Sequence, residues 1–129
     1  MHMRDLSHEL RLWGPPVAVM AIIFAFSSMP ASDDPHGVLY VATRKVAHIA
    51  EYALLLALWW RALRTRTGER RALGFALAIA LAYAISDELH QTLVSGRSGR
   101  PLDVGIDMGG ALAAAALIGR RRLRRRAAA

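Results

Sequence analysis

The chain has 129 residues, a length that suits one domain, and 54% of its residues are hydrophobic. It contains no cysteine, which excludes a disulfide framework and a cysteine-based zinc site. The net charge of +7 is concentrated in blocks of arginine between apolar runs. This distribution argues against a nucleic-acid-binding surface and favours a membrane protein.

The first two apolar runs each have the length of a membrane span, because about 20 helical residues cross about 30 Å of hydrocarbon. The first covers residues 12–29, and Pro15 and Pro16 are expected in its first turn, where proline is tolerated. The second covers residues 40–63 and ends in Trp59 and Trp60, an aromatic pair typical of a membrane interface.

The third and fourth runs cover residues 72–94 and 102–118, and the fourth is rich in small residues that let helices pack closely. A soluble bundle should carry polar residues along one face of each helix, yet residues 72–85 contain no charge. The sequence therefore predicts an all-α integral membrane bundle of four transmembrane helices in one domain, with a basic tail at residues 120–129.

The basic residues predict the orientation of this bundle, since lysine and arginine are enriched in cytoplasmic loops. One side carries 13 of them and the other only 4, namely Arg44, Lys45, Arg97 and Arg100. The larger group includes Arg4 near the N-terminus and the arginines of the tail. Both termini are therefore expected in the cytoplasm, with the tail acting as a topology anchor that touches anionic lipid.

Three of the predicted spans place ionisable groups in their outer parts. At 1.5 Å per residue, Glu51, Asp87 and Asp107 each lie about 10 Å inside the outer end of their span. A charge in lipid costs several kcal/mol, so such groups usually face a bundle interior or a wet cavity. The polar residues also recur at helical spacing within each span, which puts them on shared faces: Lys45, His48 and Tyr52; Asp87, His90 and Gln91; Asp103 and Asp107.

The short loop "SGRSGRP" places Arg97 and Arg100 over the opening between these spans. Arginine offers a planar fork that suits phosphate or carboxylate. The pattern predicts an outward-facing polar pocket. A simpler interpretation is a structural ion-pair network, with Arg44 and Lys45 as interfacial residues. Asp33 and Asp34 are expected to form a turn or a helix cap.

Four segments resemble the VanZ-like membrane proteins: "RKVAHIAEYALL" (44–55), "SDELHQ" (86–91), "SGRSG" (95–99) and "LDVGIDMGG" (102–110). The family shows a basic residue before H-x-x-E-Y, then S-D-E-x-H-Q, an arginine in a glycine-containing loop, and a final acidic motif. Two positions differ, since Ser95 stands where proline is frequent and Asp107 where asparagine is common.

The resemblance implies a protein of the bacterial cytoplasmic membrane that is associated with low-level resistance to the glycopeptide antibiotic teicoplanin. It also implies an action on lipid head groups. The expected partners are membrane lipids or a lipid-linked cell-envelope precursor, while the substrate and the oligomeric state stay open. No cofactor is identified.

The first hypothesis is an enzyme that acts on the head group of a lipid or of a polyprenyl-linked precursor. It would hydrolyse a phosphoester or transfer the head group. His48 or His90 would act as acid, base or nucleophile, oriented by Glu51 or Asp87. The candidate catalytic residues are His48, Glu51, Asp87, Glu88, His90 and Asp103. The candidate substrate-binding residues are Lys45, Tyr52, Gln91, Arg97, Arg100 and Asp107.

Two other interpretations use the same residues. The histidines and acids could bind a divalent metal that activates water, although the metalloprotease signature H-E-x-x-H is absent. Alternatively, the pocket binds a lipid head group or the antibiotic without turnover, or it forms a proton-linked relay in a small transporter subunit.

Overall fold

The computed structural model describes residues 3–30 and 37–129, and in these ranges the chain is helical and contains no strand. The four helices are α1 (Met3–Ser27), α2 (Val38–Thr67), α3 (Glu69–Gln91) and α4 (Pro101–Ala127). Each is long and apolar enough to cross a membrane. The prediction of an all-α bundle with four membrane-spanning helices is thus confirmed. The expectation for Asp33 and Asp34 lies outside the described residues, as does the side chain of Arg4.

Helix α1 begins well before the predicted span, so that Pro15 and Pro16 lie inside the helix rather than in its first turn. An interior proline has no N–H to offer the carbonyl four residues earlier, which for Pro15 is the carbonyl of Arg11. The guanidinium of Arg61 on α2 donates a hydrogen bond to that carbonyl. The neighbouring helix therefore satisfies a backbone group that the proline leaves free.

Helices α2 and α3 are joined by a single residue, Gly68, whose φ of 79° lies in the left-handed region that favours glycine. The sequence predicts a longer connection there. The helices instead continue through the arginines at both sides of the turn, since arginine is a good helix former. The basic tail is helical for the same reason, and α4 extends to Ala127.

The core is built around α2, which packs against all three other helices. Helix α3 presents a column of alanines at every fourth position, Ala72, Ala76, Ala80 and Ala84, all fully buried. The last three of these alanines pack in one cluster with Tyr52, Leu55 and Leu56 of α2. Side chains this small let two helices approach closely, as is common for helices packed within a bilayer.

Large apolar side chains cover the outside of the bundle. Leu10, Phe24, Leu54, Phe75 and Leu117 are each at least half exposed. A soluble domain rarely exposes so many large apolar residues on every helix. This surface suits a hydrocarbon environment.

Charged contacts tie the helices together at the end of the bundle where α1 begins and α2 ends. Arg66 of α2 pairs with Glu9 of α1 at 2.7 Å, and Arg122 of α4 pairs with Glu69 of α3 at 2.9 Å. At the opposite end, α1 and α3 end while α2 and α4 begin. The candidate site lies at that opposite end.

Candidate functional site

A polar pocket of about 220 Å³ lies where α2 and α4 begin and α3 ends, under the loop of residues 92–100. Its charged lining comprises three cations, three carboxylates and one histidine: Arg44, Lys45, Arg97, Glu88, Asp103, Asp107 and His48. Because α2 and α4 start side by side, the N-terminal parts of these two helices supply most of these groups.

Two pairs of polar side chains join α2 to α4 along one wall of the polar pocket. Lys45 Nζ lies 2.9 Å from Asp103 Oδ1, and His48 Nδ1 lies 3.2 Å from Asp107 Oδ1. The first pair is at the mouth, where the Lys45 side chain is 45% exposed. The second is about one helical turn deeper, and the Asp107 side chain there is 3% exposed. The matched spacing of the two pairs follows from the 3.6-residue helical period.

Asp87 of α3 forms a separate buried network with α1. Its Oδ2 accepts hydrogen bonds from Ser27 Oγ at 2.8 Å and from Gln91 Nε2 at 3.1 Å. Ser27 is the last residue of α1 and is fully buried. Sequence reasoning assigned no role to Ser27, although a polar residue at the end of an apolar helix is a signal that could have identified it.

The two networks meet inside the bundle. One ligand-type atom each from His48, Asp87 and Asp107 lies within 4.8 Å of the other two. The two carboxyl groups are almost fully buried, yet Asp87 Oδ1 and Asp107 Oδ2 have no hydrogen-bond partner among the described residues. This triad joins one side chain each from α2, α3 and α4, and the two aspartates in it are buried while His48 is partly buried.

Arg97 extends over the polar pocket from the loop after α3. Its Nη2 donates to the carbonyl of Phe26 on α1 at 3.0 Å, which anchors the side chain. Its Nε and Nη1 are buried and have no hydrogen-bond partner in the described part of the chain. Burial, with the nearby Arg44, lowers the pKa of Arg97 from its ordinary value. An arginine still keeps its proton at neutral pH.

The loop that carries Arg97 is fixed to the end of α3. Glu88 Oε2 accepts a hydrogen bond at 2.7 Å from the backbone N–H of Arg100, the residue immediately before α4. A Cβ on Gly99 would lie 2.5 Å from the Glu88 carbonyl oxygen, so glycine permits this close approach. The buried carboxylate of Glu88 therefore has a positioning role in the loop.

Five of the sequence-predicted site residues lie away from the pocket lining, and one of them, Asp87, belongs to the buried network with α1. His90 faces α1, where it stacks on Phe24 with ring centres 4.6 Å apart and contacts Ser28 Oγ at 3.0 Å. Tyr52 is buried in the core near Tyr83. Glu51 is partly buried beside His48, and the Arg100 side chain is exposed. The polar pocket also includes Tyr40 and Arg44, for which the sequence pattern predicts no binding role.

The model of one protein family, VanZ/LLP1, matches residues 12–122 of the chain. No curated protein and no solved structure matches it. The match begins within α1, ends within α4 and includes every residue of the polar pocket. The chain belongs to the VanZ/LLP1 family.

Proposed function

We propose that the polar pocket binds the phosphate of a lipid head group or of a polyprenyl-linked cell-envelope precursor, and that the protein hydrolyses or transfers this group. The observation that carries the proposal is Arg97, whose Nε and Nη1 are buried without a hydrogen-bond partner among residues 3–30 and 37–129. A buried donor without an acceptor costs roughly 1–3 kcal/mol, more when it is charged. A phosphate oxygen would supply the missing acceptors.

The other cations of the polar pocket suit the same ligand. Arg44 and Lys45 line it together with Arg97, and Lys45 already pairs with Asp103. Arginine binds phosphate through two parallel N–H···O bonds, which fix its orientation as well as its charge. Three carboxyl groups also line the pocket, those of Glu88, Asp103 and Asp107, so the lining is not uniformly positive. They would repel a ligand whose negative charge extends far beyond the phosphate.

His48 is the proton-transfer group of the proposed reaction. It lies in the pocket lining, and its Nδ1 contacts Asp107 Oδ1, an arrangement that orients the ring. In phosphoester hydrolysis, His48 takes a proton from the attacking water as the new P–O bond forms. The proton is returned to the leaving oxygen as the old P–O bond breaks, so no further reactant is needed.

The distribution of the cations supports contact of the polar pocket with the outer leaflet. The polar pocket lies at the end of the bundle with few cations, while most arginines lie at the opposite end. With the basic end in the cytoplasm, the pocket opens at the depth of the outer head groups. Glycopeptides act at the outer surface, so a protein that alters a lipid-linked precursor there would change glycopeptide susceptibility.

Non-catalytic binding is the second candidate, and the same unpartnered Arg97 donors favour it. A pocket built only to hold phosphate needs the arginines but not a histidine–carboxylate pair. The pair of His48 and Asp107 is what favours turnover.

A turnover assay separates the two candidates. Purified protein is mixed with phosphatidylglycerol and with a polyprenyl diphosphate, each labelled in the head group. We expect release or transfer of label with one of them, and loss of this activity in His48→Ala and Asp87→Asn. Binding of a labelled lipid without any chemical change would contradict catalysis and leave the binding function.

A further inference from the structure

The triad formed by His48, Asp87 and Asp107 contains two carboxyl groups and only one group that can carry a positive charge. Each residue comes from a different helix, and the two aspartates are 3% and 2% exposed. His48 contributes at most one positive charge, and the partly buried Glu51 adds a further carboxyl group nearby. Two buried carboxylates beside a single histidine are costly in a medium of low dielectric constant unless a cation joins them.

The two aspartates are also incompletely bonded. Asp87 uses Oδ2 for Ser27 and Gln91, while Asp107 uses Oδ1 for His48. The second oxygen of each, Asp87 Oδ1 and Asp107 Oδ2, is buried without a hydrogen-bond partner in the described chain. Buried carboxylate oxygens are normally paired, so both are available for a ligand that the protein itself does not provide.

We propose that the triad binds a divalent transition-metal ion, Zn²⁺ or Mn²⁺. One imidazole nitrogen and two carboxylate oxygens form a ligand set that suits these ions. The three ligand atoms lie within 4.8 Å of one another and can therefore surround an ion placed between them. A small inward movement of each side chain would bring all three to metal–ligand distances of about 2.0–2.2 Å. Three protein ligands leave further coordination positions open, as in catalytic rather than purely structural sites.

The surrounding hydrogen bonds already hold one of the ligands in place. Ser27 and Gln91 both donate to Oδ2 of Asp87, which restrains the orientation of its carboxylate. Outer partners of this kind orient metal ligands and raise metal affinity. They come from α1 and α3, so the site would link all four helices.

The inference does not depend on the head-group proposal, since a cation site can exist with or without phosphate turnover. It changes one part of that proposal. A bound ion takes a lone pair of His48, and the metal-bound pocket then has His48 as a ligand rather than as the proton carrier. Phosphate recognition by Arg97 is unaffected.

Metal binding to the purified full chain, produced without a histidine tag, tests the inference. After incubation with Zn²⁺ and dialysis, we expect one ion per chain by elemental analysis. His48→Gln and Asp107→Asn should each weaken binding about tenfold or more. The matched control is Asp103→Asn, which removes an acid one turn away on the same helix that pairs with Lys45 instead. This control should retain the ion.

The inference is overturned if the wild-type chain retains no ion. It is also overturned if Asp103→Asn weakens ion binding as much as Asp107→Asn does, because the acidic residues would then attract the ion nonspecifically. A variant that fails to fold does not prevent a decision. Mn²⁺ bound to the wild type should show magnetic coupling to an imidazole nitrogen by pulsed electron paramagnetic resonance, and the absence of that coupling would exclude His48 as a ligand.

Discussion

Gly110 of α4 lies directly against the backbone of Ile49 on α2. A Cβ built on Gly110 would be 2.1 Å from the carbonyl oxygen of Ile49, far closer than any real contact. Ile49 follows His48 in the sequence, and Gly110 is one turn beyond Asp107. The close approach of these two backbones therefore brings His48 within reach of Asp107 across the helix interface.

This relationship predicts that Gly110→Ala destabilises the bundle, because the obstacle is backbone and cannot rotate away. Forcing extra volume into a packed interface typically costs about 1–3 kcal/mol. Thermal unfolding in detergent should show a clear loss of stability. Gly109→Ala is the matched control, since nothing lies within 4 Å of its Cβ. Equal stability of the two variants would show that the helices are not in contact there.

Arg97→Ala should weaken binding of phosphate-bearing lipids while leaving the bundle folded. Two charge-assisted hydrogen bonds would be lost, each worth about 1.5–3 kcal/mol, so affinity should fall at least about tenfold. Arg100→Ala is the control, because only the backbone of Arg100 contacts Glu88. The measurement is titration with phosphatidylglycerol in detergent. A larger effect from Arg100→Ala than from Arg97→Ala would contradict the proposed recognition.

The two histidines should behave differently. In the metal-free protein, turnover is expected to change between about pH 5 and 8, the range in which an ordinary histidine titrates. His48→Gln should abolish turnover. His90→Gln should leave most of it intact, since His90 packs on Phe24 beside α1. Turnover that survives His48→Gln, or that is lost only in His90→Gln, would assign the proton transfer to another group.

Cysteine labelling tests the orientation, and the absence of native cysteine makes single substitutions clean probes. Ser95→Cys lies in the exposed loop at the pocket end, and Ala128→Cys lies just beyond α4. In intact cells, a membrane-impermeant thiol reagent should label Ser95→Cys, because the cation-poor end is expected to face outward. Ala128→Cys should react only after lysis, and the reverse pattern would show that the pocket faces the cytoplasm.

The helices themselves could be predicted because apolar run length reports directly on bilayer thickness. Their ends could not. Helix α4 continues to Ala127, nine residues beyond the predicted end at Ile118, since hydropathy falls at the arginines while helix propensity does not. The same effect explains why only Gly68 separates α2 from α3.

The site could be predicted only in part. Helical spacing put Lys45 and His48 on one face and Asp103 and Asp107 on another, and the structure pairs these two faces. Helical spacing also put His90 and Asp87 on one face of α3. In the structure α1 packs beside that face, and His90 contacts Phe24 and Ser28 instead of lining the pocket. The position of α1 depends on tertiary packing, which no single helical pattern records.

The most direct test of the account is a comparison of lipids that differ only in phosphate. Binding of a polyprenyl phosphate and of the matching polyprenol, and of phosphatidylglycerol and the matching diacylglycerol, is measured on the wild-type chain and on Arg97→Ala. We expect the wild type to bind at least one of the two phosphate-bearing lipids at least about tenfold more tightly than the matching lipid without phosphate. Arg97→Ala should lose this preference. Equal affinity for the phosphate-bearing and phosphate-free lipids in both pairs would contradict it.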